Sequence, residues 1–180
     1  MNKLDKYVGK ILLSEDEIKS INARLAKEIS QYYQSIGEDF EIIGILNGCL
    51  PFLIDLTRLL PFSVRYTLLN ISSYKGGFKS NNRPTLEQVI PKRIKDKNIL
   101  IIEDIVDTGR TLNLLTSLLK ERNCNIKVCS LLDKPSQRVV ECSVDFVGKT
   151  IDNVFVLGYG LDIDEEFRNI PYVATYKEDK

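Results

Sequence analysis

The stretch ILIIEDIVDTGRTL, residues 99–112, places three acids, two threonines and a glycine turn directly behind a run of apolar residues. Ile99 to Ile102 read as a buried strand that stops on Glu103 and Asp104. A third acid, Asp107, stands just before Thr108, Gly109, Arg110 and Thr111. Side by side, Glu103 and Asp104 suit a diol or a hydrated Mg²⁺, a hard ion that takes oxygen ligands. A sharp turn at a helix start offers free backbone N–H groups, two hydroxyls and the positive end of the helix dipole, which together cradle a phosphate. Asp107 is then close enough to serve a bond being made beside the other two acids. Taken singly, Glu103 or Asp104 also reads as an ordinary strand-end acid, solvated or capping the next helix.

Several phosphate and acid chemistries fit poorly. No GxxxxGK[ST] occurs, which argues against nucleoside triphosphate hydrolysis on a Walker loop. Asp-Thr-Gly also occurs in aspartic proteases, but those bring two such aspartates together, and here the triplet appears once and opens a helix. Phosphatases with two aspartates one residue apart do not match, because Asp104 and Asp107 are three apart. The chain has no histidine. That removes His-based triads, the commonest general base and most transition-metal sites. Proton transfer falls to a carboxylate, lysine, tyrosine or cysteine, and any metal is expected to be an oxygen-held ion such as Mg²⁺.

These residues need a scaffold, and 180 residues are enough to bury one core. Ser14-Glu-Asp-Glu17 is a capping box. Ile18, Ile21, Leu25, Ile29 and Tyr32 follow at helical spacing, and Gly37 offers a stop. FEIIGIL (40–46) reads as a buried strand turning at Asn47-Gly48 into an apolar helix through Leu60. VRYTLLNISSY (64–74) has strand composition, and the polar KGGFKSNNRP (75–84) reads as a mobile loop or hairpin tip. A helix from about Gly109 to Arg122 and strands at 126–134, 144–148 and 153–160 complete the pattern. Strands alternating with helices predict an α/β fold with a parallel sheet covered on both faces, its ligands beyond the carboxyl ends of the strands.

Composition bounds the setting. Lys plus Arg equal Asp plus Glu at 25 each, so no global field draws the chain to nucleic acid or to a membrane. No apolar run reaches bilayer length, and MNKLDKYVGK lacks the apolar segment of a signal peptide. Cys49, Cys124, Cys129 and Cys142 show no CxxC spacing. They read as thiols of a reducing, cytoplasmic compartment rather than as a disulfide or metal set.

IIEDIVDTGRT resembles the phosphoribosyl-diphosphate signature of the type I phosphoribosyltransferases. LNGC (46–49), SSYKGG (72–77), LLDKP (131–135) and VFVLGYGLDIDEEFRNIPY (154–172) fall in order where the bacterial hypoxanthine-guanine members of that family carry their loops. The resemblance implies the type I phosphoribosyltransferase fold: α/β, a central mostly parallel sheet flanked by helices, with a small hood subdomain. Residues 1–180 would form one such domain, the hood built from the N- and C-terminal segments. The implied activity is purine salvage, moving the 5-phosphoribosyl group from phosphoribosyl diphosphate to a 6-oxopurine base with Mg²⁺.

The same resemblance implies roles for individual residues. Glu103, Asp104, Ile105, Val106, Asp107, Thr108, Gly109, Arg110 and Thr111 would bind ribose and 5′-phosphate, with Asp107 as the general base. Lys134, Phe155, Val156 and Asp162 would meet the purine. Periodicity alone reads Phe155 as a core aromatic, and Lys134 alone reads as a solvated end-charge. Asn47, Gly48 and Arg168 would bind diphosphate, although Asn47 stands where the family often carries Lys or Arg. By itself, Arg168 in DEEFRN reads as a surface ion pair. Ser73 and Tyr74 would belong to a lid, and Glu103, Asp104 and Asp162 would hold metal.

A homodimer or homotetramer is the implied assembly, with no nucleic-acid or membrane partner. The rival reading is a nucleic-acid-binding regulator on the same fold without significant turnover. Such a protein would show a basic face and need keep neither Asp107 nor Lys134.

Overall fold

The structure is a computed structural model that describes residues 6–37, 39–73, 84–86 and 89–177. Its main sheet is built from β2 (Phe40–Leu46), β3 (Arg65–Ser73), β4 (Pro84–Leu86), β5 (Asn98–Val106), β6 (Asn125–Asp133) and β7 (Phe146–Thr150), in the order β4-β3-β2-β5-β6-β7. All neighbours pair parallel except β4, which runs antiparallel to β3 at one edge. Helices α1 (Glu15–Ser35), α2 (Leu50–Thr57) and α3 (Arg110–Lys120) flank it.

The near-continuous apolar strands follow from burial on both faces. Ile42, Leu100, Ile102 and Leu131 pack with Leu25, Ile29, Phe52 and Leu56 of α1 and α2. Ile43, Ile45, Ile99 and Ile101 pack with Leu112, Leu115 and Leu119 of α3. The capping box of α1 is formed: the Ser14 N–H donates to the Glu17 carboxylate at 2.8 Å, and the Glu17 N–H to Ser14 Oγ at 3.3 Å. Gly37, with φ 99°, follows the helix end in the left-handed conformation that glycine adopts without penalty.

Three features differ from the sequence reading. The central strand does not stop at the acids. It runs on to Val106 because β6 keeps pairing with it, through Glu103 opposite Ser130 and Val106 opposite Asp133. The apolar helix after Gly48 ends at Thr57, not at Leu60. The segment 153–160 contributes only β8 (Val156–Leu157), and β8 lies outside the main sheet. It joins β1 (Val8–Leu13) and β9 (Val173–Tyr176) in a three-stranded antiparallel sheet of order β1-β9-β8. Neither β1 nor β9 was legible in the sequence, being short and half-exposed. The loop expected at 75–84 falls outside the described residues except Pro84, which opens β4.

Leu115 is fully buried between α3 and the sheet. Leu115→Ala is expected to destabilise the fold by about 2–5 kcal/mol, read as a lowered midpoint in urea unfolding with α3 as its origin.

Candidate active site

Parallel pairing sets the site. β5 and β6 end side by side, and the chain leaving β6 is tied back to β5 by the Lys134 N–H donating to the Val106 carbonyl at 2.9 Å. Asp107 and Lys134, 27 residues apart in sequence, therefore emerge together at the carboxyl edge, where ligands gather in such sheets. Lys134 is buried, only 5% exposed. Desolvation holds its ammonium below the ordinary lysine range, while the nearby Asp107 carboxylate pulls the other way. Asp107 itself is exposed.

After Asp107 the chain turns at Gly109, which has φ 80° and forms the N-cap position of α3. Any side chain there would be doubly opposed. The backbone conformation is left-handed, and a methyl group would lie 2.7 Å from Cys142 Sγ and 2.8 Å from the Val140 carbonyl. Within the turn the Arg110 N–H faces Thr108 Oγ1 at 3.5 Å, and the Asn113 N–H takes the Gly109 carbonyl as α3 begins. The remaining N–H groups of a helix start have no intrahelical partner. Arg110 and Thr111 are half-buried in the first turn.

Glu103 and Asp104 sit in β5 rather than beyond it. Glu103 is buried, and its Oε2 has no hydrogen-bond partner. Burial drives its carboxyl well above the usual range, and the neighbouring Asp104 adds to that. Asp104 is raised to about 6, chiefly by desolvation and slightly by Asp162. Backbone N–H groups, its own and that of Ile105, and the Arg168 guanidinium oppose the rise. A buried carboxyl oxygen without a partner, such as Glu103 Oε2, is costly unless a cation or a hydroxyl-bearing ligand joins it.

The other expected residues fall into two groups. Gly48 packs on Asp104 so closely that a methyl group would lie 1.7 Å from Oδ2, and Gly160 packs equally closely on the Gly48 carbonyl. Asn47, next to Gly48, is exposed, and the Leu46–Asn47 peptide is cis. Arg168 pairs with Asp162 at 2.8 Å and donates to the Gly160 carbonyl at 2.7 Å, an ion pair that is half-buried rather than on the open surface. Asp104, Gly48, Gly160, Asp162 and Arg168 thus form one polar corner. Ile105 is half-buried against the core.

Phe155 corrects the periodicity reading: it is 72% exposed, an isolated aromatic face directly before buried Val156. Ser73 ends β3, and Tyr74 lies outside the described residues.

Two features were missed from sequence. Arg138 reaches back under the turn from the polar segment after Lys134, a stretch with no periodicity to mark it. Tyr159 carries a buried network, accepting from Asn22 Nδ2 at 3.0 Å and donating to Asp55 at 2.8 Å. It ties the loop carrying Asp162 to α1 and α2. All four cysteines are free, Cys49 and Cys129 buried and the other two half-buried.

Comparison with known proteins agrees with this geometry. A family described as the phosphoribosyl transferase domain matches residues 10–164. A hypoxanthine-guanine phosphoribosyltransferase of Lactococcus lactis is 42% identical over 174 residues, covering 97% of this chain and 94% of its own. Its counterpart in Streptococcus pneumoniae is 38% identical, covering 98% and 97%. A solved hypoxanthine phosphoribosyltransferase of Staphylococcus aureus superposes with a TM-score of 0.89 at 35% identity, covering 98% of this chain and 95% of that one.

Because the Asp104 carboxyl is raised from 3.8 to about 6 by folding, its protonated form favours the native state. That contribution is complete below about pH 4 and is lost as pH rises through about 6. Asp104→Asn is therefore expected to stabilise the ligand-free protein at pH 8 by on the order of 1–3 kcal/mol, and to flatten the decline between pH 4 and 7. Chemical denaturation across that range checks both.

Proposed function

The chain belongs to the phosphoribosyl transferase domain family, and from that premise we propose that it is a purine-salvage enzyme. It transfers the 5-phosphoribosyl group from phosphoribosyl diphosphate to hypoxanthine or guanine, giving IMP or GMP and diphosphate. The observation that carries this reading is the juxtaposition of Asp107 and a buried Lys134 at the ends of adjacent parallel strands. The rival nucleic-acid-binding regulator is not supported, since relatives matched over nearly their whole length are named as transferases.

In this reading the turn 107–111 holds the 5′-phosphate on its amides and hydroxyls, as helix starts do. Ile105 and Val106 carry the backbone into it, and Glu103 and Asp104 face the ribose hydroxyls. N9 of the purine attacks C1′ while the C1′–O bond to diphosphate breaks, its electron pair leaving with the diphosphate. The proton on N7 passes to the Asp107 carboxylate. Charge builds on the ribose as an oxocarbenium-like centre, and nearby carboxylates stabilise it.

Lys134 sets base specificity. An ammonium has three donors and no acceptor, so it satisfies a 6-oxo group and opposes a 6-amino group donor to donor. The exposed ring of Phe155 offers a stacking face, and the Val156 backbone reads the purine edge. Asn47, Gly48 and Arg168 take the diphosphate, Arg168 with a planar fork of donors suited to phosphate oxygens. Asn47 adds no charge, so that loop acts through its backbone. The sheet β1-β9-β8 and the loop that joins β8 to β9 form the hood over the base, within one domain. A lid including Ser73 and Tyr74, which the family resemblance implies, would keep water from the activated ribose.

The donor set fits Mg²⁺. Glu103 presents a buried oxygen without a partner, and Asp104 and Asp162 supply further carboxylates. Mg²⁺ is usually held by one or two carboxylates plus water and substrate oxygens. When bound, Mg²⁺ would neutralise the diphosphate and polarise its bond to C1′. Among the described residues no helix is long and apolar enough to cross a membrane. A cytoplasmic homodimer or homotetramer remains the setting we propose.

An absorbance assay with hypoxanthine, guanine or adenine, phosphoribosyl diphosphate and Mg²⁺ tests the function: turnover with the first two and none with adenine is expected. Absence of turnover with either 6-oxopurine sinks it. Asp107→Asn is expected to lower kcat about 10²–10⁴-fold with IMP still bound; an unchanged rate removes it as the base. Lys134→Ala is expected to raise KM for hypoxanthine and guanine and narrow their advantage over adenine. Unaltered kinetics for all three bases refute that role.

A further inference from the structure

The segment that follows Lys134 has no part in the reaction just described, yet it grips the phosphate turn from behind. A short 3₁₀ turn (Pro135–Gln137) folds the chain back under β5. Arg138 Nη1 then faces three carbonyl oxygens, those of Val106 at 2.8 Å, Asp107 at 2.5 Å and Lys134 at 3.3 Å. Its Nη2 donates to the Asp133 carboxylate. The next two N–H groups, of Val139 and Val140, both donate to the Thr108 carbonyl at 3.0 and 3.2 Å.

A trans peptide is planar, with its C=O and N–H pointing in opposite directions. The carbonyls of residues 106, 107 and 108 all point to segment 138–140. The N–H groups of residues 107, 108 and 109 are therefore turned away from it, toward the side on which a phosphate would sit. Successive outward N–H groups of this kind form an anion-binding concavity. Without Arg138 the Asp107 carbonyl would lose the donor that holds it, leaving the 107–108 peptide free to turn that oxygen toward the ligand, while the 106–107 peptide would keep only the bond from the Lys134 N–H. The same guanidinium ties Asp107 to Lys134 through their main chains and neutralises the buried Asp133 beside the lysine.

We infer that Arg138 is a positioning residue: it orients the amides of the phosphate turn and sets the separation of Asp107 from Lys134 without touching substrate. This rests on the transferase reading above. Only arginine suits the position. Its planar fork carries five donors and a charge that is always present, and here it serves four acceptors on three sides. A lysine ammonium has one nitrogen, so it cannot sit at the three converging carbonyls and at the Asp133 carboxylate at once, as Nη1 and Nη2 do.

The test compares Arg138→Ala, Arg138→Lys and wild type by steady-state kinetics, by calorimetric titration with ribose 5-phosphate, and by activity with millimolar methylguanidinium added. Arg138→Ala is expected to lose on the order of 10²-fold in kcat/KM for phosphoribosyl diphosphate, to bind ribose 5-phosphate more weakly, and to regain activity with methylguanidinium but not with methylammonium. Arg138→Lys should recover little. Wild-type kinetics in Arg138→Ala overturn the inference, as does full recovery in Arg138→Lys, which would reduce the role to charge. If Arg138→Ala does not fold, Arg138→Lys carries the same measurements, and ribose 5-phosphate binding and kcat/KM equal to wild type overturn it. A wild type that binds ribose 5-phosphate but turns over no 6-oxopurine fails the transferase reading instead, and leaves the binding comparison to judge Arg138.

Discussion

Everything at the site depends on the parallel register between β5 and β6. Val106 opposite Asp133 puts the ends of two apolar strands at one level, and the hydrogen bond from Lys134 to the Val106 carbonyl holds them there. A one-residue slip would turn every side chain of β5 to the other face. It would carry Leu100 and Ile102 out of the cluster they share with α1 and α2, and Ile99 and Ile101 out of the one they share with α3. The register is thus enforced by two cores at once, and the position of Asp107 beside Lys134 is a consequence of that packing.

The cost of this arrangement is visible in the acids. Glu103 and Asp104 lie in a strand that pairing extends past its apolar run, so they are desolvated by the same burial that makes the strand stable. Glu103 keeps an oxygen with no partner. Such groups are tolerated at functional sites, where a ligand supplies what the protein leaves out. The close packing of Gly48 on Asp104, and of Gly160 on the Gly48 carbonyl, shows how little room is left for anything but backbone there.

A second sheet, β1-β9-β8, carries Val156, and the loop with Asp162 and Arg168 joins β8 to β9. Its link to the main body includes the buried Tyr159 hydroxyl between Asn22 and Asp55, whose surroundings hold the phenol well above its ordinary pKa and therefore neutral. A neutral hydroxyl that both donates and accepts is a directional joint, suited to fixing the loop that meets the polar corner.

The sequence alone determined the local facts. Apolar runs marked β2, β5 and β6, the Ser14 capping box marked α1, and Asp-Thr-Gly marked the turn into α3, because strand burial, caps and turn chemistry are set by neighbours a few residues away. Family resemblance extended this to Lys134 and Arg168. Tertiary structure decided what depends on partners far along the chain. It lengthened β5 through both acids, moved β8 into a sheet made with β1 and β9, and exposed Phe155 where periodicity placed it in the core. It also brought Arg138 beneath three carbonyls. Hydrogen bonds between segments leave no periodic trace in either of them, so no pattern in residues 135–142 could announce what they hold.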